Sequence, residues 1–331
     1  MKAINFTARN HVQYGDLPDP VVGPDEVLIA VKTSGICHTD FEVLSANYGD
    51  GNFPVVPGHE YAGIIAEIGS AVKNLAVGDR VVVDPNINCG NCKACRKGWA
   101  HLCETLGAYG VSQNGGFAEL SLVKADAVHS IGDMSFVQAA LAEPMGCVLN
   151  GVDAVYDSQI DSTMIFGAGP MGMLMAIALK MKGIKNVDLV DIDEARLQMA
   201  QDFGFNGIAS GSDALKAKRQ AVDLVVDATG VPAVAGRLTD YIANGGKGLY
   251  FGVCPSTARI EISPFEVFRR QLTLAGSHSL NHNIPAALDI IASYGSKIED
   301  IVSHKLSLNE VASILSAKPP KGSLKIQAMM E

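Results

Sequence analysis

Four cysteines, Cys89, Cys92, Cys95 and Cys103, fall in a loop rich in Gly, Asn and Lys with the spacing C-x2-C-x2-C-x7-C. Thiolates this close together can close a tetrahedron around zinc and leave no position open, which makes a structural site. The competing chemistry is an iron–sulfur cluster, whose bacterial pattern ends in C-x3-C-P. Here the last spacing is seven and Glu104 follows Cys103, so the loop is read as zinc-binding.

A second pattern is Gly167-Ala168-Gly169-Pro170-Met171-Gly172. GxGxxG alone is a weak signal in a chain with 34 glycines. Its context strengthens it: an apolar strand precedes it, an apolar helix follows, and an acid, Asp191, stands about 20 residues on. Gly167 would allow the tight turn, Gly169 the approach of a pyrophosphate, and Gly172 close packing of helix on strand. The helix N-terminus, opening at Pro170 and Met171, would offer free N–H groups to phosphate. Asp191 would accept the adenosine ribose hydroxyls and would repel a ribose phosphate, which favours NAD over NADP. Arg196 lies at the same end of the cofactor and could soften that repulsion, though five residues away.

Three shorter runs carry metal-ligand chemistry only as a set: Cys37-His38-Thr39-Asp40, Gly58-His59-Glu60 and Glu143-Pro144. Singly, a cysteine or histidine is usually buried filler. Their meaning depends on the elements that would bring them together. As far as about residue 150 the chain reads as short β-rich runs broken by Gly and Pro. These are Val27 to Lys32, Gly63 to Ile68, Arg80 to Asp84 and Phe117 to Val123, with a closing helix capped by Ser135. From Thr163 strand and helix alternate. Strands are expected at Thr163 to Phe166, Val187 to Val190, near Ile208, at Asp223 to Asp227, Gly248 to Val253 and Leu272 to Ala275. Helices are expected at Met171 to Met181 and Glu194 to Phe203. That alternation predicts an α/β doubly wound parallel sheet. Two helices, through Ala286 to Ile291 and Asn309 to Leu315, and a strand at Leu324 to Met329 would return to the first domain.

Composition narrows the function. Among 331 residues, 48% are hydrophobic and 18% charged, as for a well-buried chain of two domains. The net charge of −9 argues against a nucleic-acid partner. No uninterrupted apolar run is long enough to span a membrane, and Met1 to Tyr14 does not read as a secretion signal. A cytoplasmic location is therefore expected, where thiols stay reduced. Cys147 and Cys254 read as buried residues.

The run Gly58-His59-Glu60-Tyr61-Ala62-Gly63, with Gly69 and Val72 beyond it, resembles the zinc signature of the medium-chain alcohol dehydrogenase family (medium-chain dehydrogenase/reductase). The cysteine loop and the glycine turn follow in the family's order. The resemblance covers essentially the whole chain. It implies a GroES-like, mostly β catalytic domain over residues 1–150 and 279–331, and a Rossmann NAD-binding domain over 151–278. It implies two zinc ions per chain. Cys37 and His59 match the catalytic zinc ligands, with Glu60, Glu143 or water completing the shell. Simple alcohol dehydrogenases carry a second cysteine in the stretch that holds Glu143 here, whereas sorbitol, threonine and related polyol dehydrogenases carry glutamate. Thr39 matches the relay hydroxyl, and Asp40 the carboxylate that orients a ligating histidine. The relay histidine is replaced by Glu42, leaving Glu42 and His38 as candidates for the proton's exit. His38 and Lys325 match basic residues near the cofactor pyrophosphate, and Ser277 to Ser279 would lie near the nicotinamide. The implied activity is NAD-dependent oxidation of a polyol to a ketose. Oxidation of a simple alcohol or of an amino alcohol such as threonine is the alternative, and a non-catalytic zinc protein a remote one. A homo-oligomer is expected, more readily a tetramer than a dimer, joined at the edge strand Leu272 to Ala275.

Overall fold

Val27, Ile29 and Val31 alternate with less buried neighbours, the period of a strand with one packed face. They lie on Glu26–Gly35, which pairs antiparallel with Glu60–Ile68, Leu120–Lys124 and Lys325–Met329. The computed structural model describes all residues except Gly49, Asp50 and Lys318, and it divides into two compact units. Met1–Gly146 with Leu280–Glu331 forms the first. Its main sheet has seven strands, six of them in the order Val302–Ser307, Lys325–Met329, Glu26–Gly35, Glu60–Ile68, Arg80–Val83 and Val128–Ser130. Leu120–Lys124 joins on Glu26–Gly35. Tyr61, Ile65, Val81 and Val83 complete the core against Val27, Ile29 and Val31. This unit is mostly β, and the C-terminal strand is part of it.

Cys147–Ser279 forms the second unit. Six parallel strands run in the order Asn206–Ala209, Asn186–Asp191, Ser162–Phe166, Val222–Asp227, Ile242–Tyr250 and Thr273–Gly276. This is the doubly wound arrangement, in which the first strand sits at the reversal of strand order. The central strands are apolar because helices cover both faces. The helix Pro170–Met181 buries every residue from Gly172 to Leu179, which is why it lacks a polar face.

Several elements differ from expectation. The strand expected from Gly248 begins at Ile242, and its pairing with Val222–Asp227 shifts register near Asp223. A hairpin of Lys2–Ala8 and His11–Asp16 precedes the expected first strand. The helix capped by Ser135 is two pieces, Phe136–Ala139 and Ala142–Asp153, the second carrying Glu143 in its first turn. Among the described residues no helix is long and apolar enough to cross a membrane.

Candidate active site and metal centre

Cys37 lies two residues past the strand Glu26–Gly35, as N-cap of the helix His38–Leu44. Asp40, at the third position of that helix, reaches back to accept the Cys37 N–H at Oδ2, 2.8 Å away. Its Oδ1 accepts the Gly58 N–H at 3.3 Å and lies 3.5 Å from Nδ1 of His59. One fully buried carboxylate thus ties the two segments that carry Cys37 and His59. With Nδ1 facing Asp40, Nε2 is the ring nitrogen left for a metal. Glu60 opens the next strand and pairs in register with Gly35. A side chain at 35 would occupy the space of the Glu60 carboxylate, so glycine there is a matter of room.

Ligand atoms of Cys37, His59 and Glu60 all lie within 4.8 Å of one another. The set fits zinc: a thiol, an imidazole and a carboxylate whose Oε2 is buried and accepts no hydrogen bond. Burial disfavours a charged imidazole, but Asp40 and Cys37 outweigh it and hold His59 well above its ordinary pKa. Thr39 Oγ1 lies 3.6 Å from Cys37 Sγ, so its hydroxyl borders the same cluster. Glu143 is buried but does not belong to the group of ligand atoms within 4.8 Å.

Lys325 is buried next to Glu60. Its Nζ lies 2.5 Å from Glu60 and donates to the Ile36 carbonyl at 3.1 Å. Burial works against its charge, yet Glu60, Cys37 and Glu143 around it push its pKa above the ordinary lysine value. These partners set it beside the Cys37, His59 and Glu60 group. His38 is largely exposed, its Nε2 3.2 Å from Glu42 Oε1 on the outer face of their helix.

The cysteine loop forms a second centre. Sulfurs of Cys89, Cys92, Cys95 and Cys103 lie within 4.8 Å of one another, and all seven cysteines of the chain are free thiols. Tetrahedral zinc with Zn–S near 2.3 Å would set sulfurs about 3.8 Å apart, which this cluster accommodates. Backbone N–H groups already point at sulfur: Cys89 N to Cys103, Cys92 N to Cys89, Cys95 N to Cys92 and Thr105 N to Cys103. The Cys89 N–H is the main reason Cys103 falls to about 6. Desolvation and the adjoining thiols push Cys95 up to about 12.

In the second unit, Gly167 follows the first strand with φ of +101°, a left-handed conformation that favours glycine. A Cβ at Gly172 would collide with the Gly167 carbonyl. Gly169 is the N-cap and Pro170 the first residue of the helix, whose leading N–H groups stay free for phosphate. Met171 follows in the first turn. Asp191 is buried at the end of the neighbouring strand. Its Oδ2 accepts Ala168 N–H at 2.7 Å, and Oδ1 accepts Ile192 and Asp193 N–H at 2.8 and 3.0 Å. Arg196 is close after all: its Nη1 lies 3.8 Å from Asp191 Oδ2. Asn150, which the sequence did not flag, donates to the carbonyls of His278 and Ser279 at 3.1 and 2.9 Å and fixes that loop.

The chain as a whole resembles known proteins. Residues 23–133 fit the model of the alcohol dehydrogenase GroES-like domain, and residues 170–293 that of the zinc-binding dehydrogenase. The chain is 49% identical to D-altritol 5-dehydrogenase of Agrobacterium fabrum, over the full length of both. It is 32% identical to D-arabinitol dehydrogenase 1 of Uromyces fabae, over 93% of this chain and 90% of that one. A solved structure from Sinorhizobium meliloti 1021, described as a zinc-binding dehydrogenase bound to NADP, superposes with a TM-score of 0.94 at 30% identity, covering 99% of each chain.

Proposed function

The chain belongs to the zinc-dependent medium-chain alcohol dehydrogenase family, and from that membership we propose that it oxidises a secondary hydroxyl of a sugar alcohol to a ketose, with hydride passing to NAD. The observation that carries this reading is the donor set. Cys37 and His59 are joined by the buried Glu60, and the buried Glu143 lies within electrostatic reach of Lys325. Carboxylates keep the charge balance of a second thiolate while being harder ligands. The 49% relative named for altritol points to the same substrate class.

Zinc held by Cys37, His59 and a carboxylate would supply Lewis acidity, which lowers the pKa of a bound hydroxyl by several units. Every other part is the chain's own. Asp40 fixes the His59 ring and the Cys37 loop together. Thr39, beside Cys37, would accept the alcohol proton while releasing its own hydroxyl proton onward. Glu42 and His38, paired on the exposed side of the same helix, are candidates to pass it to solvent. Gly167 to Gly172 would cradle the pyrophosphate, and Asp191 would take the ribose hydroxyls and favour NAD. Arg196, against Asp191, tempers that preference. Cys89, Cys92, Cys95 and Cys103 would hold the structural zinc. In keeping with those reduced thiols we place the protein in the cytoplasm.

Assembly is read from the second unit. Among the described residues, Thr273–Gly276 is an edge strand paired on one side only. The helix before it exposes Phe265 and Phe268. An apolar edge of this kind favours pairing with a second copy, and a tetramer built from such dimers is the expected form. The test of function is a panel of altritol, arabinitol, sorbitol, xylitol, ribitol, galactitol, threonine and butanediol with NAD and with NADP. Sugar alcohols should give the highest kcat/KM. Threonine or butanediol ahead of every polyol would refute the substrate class.

A further inference from the structure

Two cations have a claim on one carboxylate in the first unit. Nζ of Lys325 lies 2.5 Å from both oxygens of Glu60, and the two side chains are 5% and 1% exposed. Only Oε1 stands in hydrogen-bond geometry with the ammonium; Oε2 accepts nothing. Yet Glu60 also has a ligand atom within 4.8 Å of those of Cys37 and His59. A buried carboxylate needs a compensating cation, and a buried ion pair is costly to break from either side. The Lys325 ammonium also donates to the Ile36 carbonyl. On the strand opposite, Gly35 leaves the space that the Glu60 carboxylate fills.

We propose that Lys325 is a positioning residue that decides whether Glu60 ligates the metal, holding the carboxylate back so that a coordination position stays available to the substrate hydroxyl. This rests on reading the Cys37, His59 and Glu60 cluster as a zinc site. With Lys325 in place, a metal gains Glu60 only by sharing or displacing the ammonium, and it also meets a fixed positive charge. With a methionine in place of Lys325, a metal would be the cation left to compensate Glu60. Glu60 should then be a permanent ligand, and the metal should be held more tightly and the substrate less well.

The test is Lys325→Met, with Lys325→Arg and the double variant Glu60→Gln/Lys325→Met beside it. Zinc content is measured first. Release of the catalytic zinc to a chelator is then timed, and the visible spectrum of the cobalt-substituted protein is recorded. Lys325→Met should release this metal at least 10-fold more slowly than wild type and show an altered cobalt spectrum. Lys325→Arg should behave as wild type. The double variant should lose the gain. Release from Lys325→Met as fast as from wild type would overturn the proposal. So would slow release that persists in the double variant, because charge alone would then explain it. Should Lys325→Met fail to fold without metal, zinc should rescue it, since zinc takes over the role of cation; no rescue, with the double variant folded, also overturns it. Wild type that binds only the one zinc of the cysteine loop would sink the metal reading itself, a result distinct from all of these.

Discussion

Asp40→Asn isolates what one buried charge contributes to the active site. Asp40 is fully buried, and its two oxygens divide their work. Oδ2 accepts the Cys37 N–H at 2.8 Å, while Oδ1 accepts Gly58 N–H at 3.3 Å and faces His59 Nδ1 at 3.5 Å. Asparagine has the same shape but one acceptor oxygen. In either orientation its NH₂ group must face one of the two N–H donors. One hydrogen bond to a charged acceptor is lost, which costs about 1.5–3 kcal/mol, and a buried donor is left unsatisfied, which costs about 1–3 kcal/mol more. Together, about 2.5–6 kcal/mol, these are a large part of the stability of an ordinary domain. The metal should suffer as well, because Asp40 orients His59; loss of such a partner lowers metal affinity about 10- to 100-fold. The variant should therefore unfold at lower urea concentration by circular dichroism, and its second zinc equivalent should pass to a competing chelator while the cysteine loop keeps the first. A variant within 1 kcal/mol of wild type, holding both zinc ions at unchanged affinity, would refute this account of Asp40.

Further outcomes follow from the same geometry. Glu143→Ala should reduce polyol turnover by about 10-fold or more, as for lost ligands or their partners, with NAD affinity unchanged; unchanged turnover and zinc content would make Glu143 an ordinary helix carboxylate. Zinc uptake by the cysteine loop should strengthen as pH rises, because Cys95, raised to about 12, must give up a proton to bind. The slope should steepen below about pH 6, where Cys103 also becomes protonated, and a pH-independent affinity would contradict both shifts. Wild type should prefer NAD, and Asp191→Ala should narrow the preference mainly by weakening NAD, since Ala168, Ile192 and Asp193 lose their acceptor; equal use of NADP by wild type would refute the role given to Asp191. Light scattering should show a dimer or tetramer at micromolar concentration, and charge at Phe265 and Phe268 together should reduce it by one association step; a wild-type monomer would end that reading.

What the sequence made legible was chemistry held within short spans. The cysteine spacing and the glycine turn each lie on one loop, so spacing along the chain is nearly spacing in space, and the apolar strands of the parallel sheet are recognisable because they are buried on both faces. Elements without such burial were not legible. His11–Asp16 has no fully buried residue, and Val302–Ser307 alternates polar groups on an edge, so neither shows an apolar period. Asp191 and Arg196 show a different failure. Five residues looked like distance, but a helix that begins at Glu194 turns Arg196 back until its guanidinium is 3.8 Å from the carboxylate.

Lys325 shows the deepest limit. Nothing in its neighbourhood along the chain links it to Glu60, which lies 265 residues away. Its place follows from sheet order alone. The C-terminal strand pairs with Glu26–Gly35, which pairs in turn with Glu60–Ile68. Gly35 is therefore flanked by Gln327 on one side and Glu60 on the other, two residues from Lys325 along its own strand. Strand register thereby brings the Lys325 ammonium to the Glu60 carboxylate. Sequence patterns identify donors and loops that bind by local shape. Which charge compensates which, once buried, is decided by strand register, and that is why the charge partner of Glu60 could be found only in the folded chain.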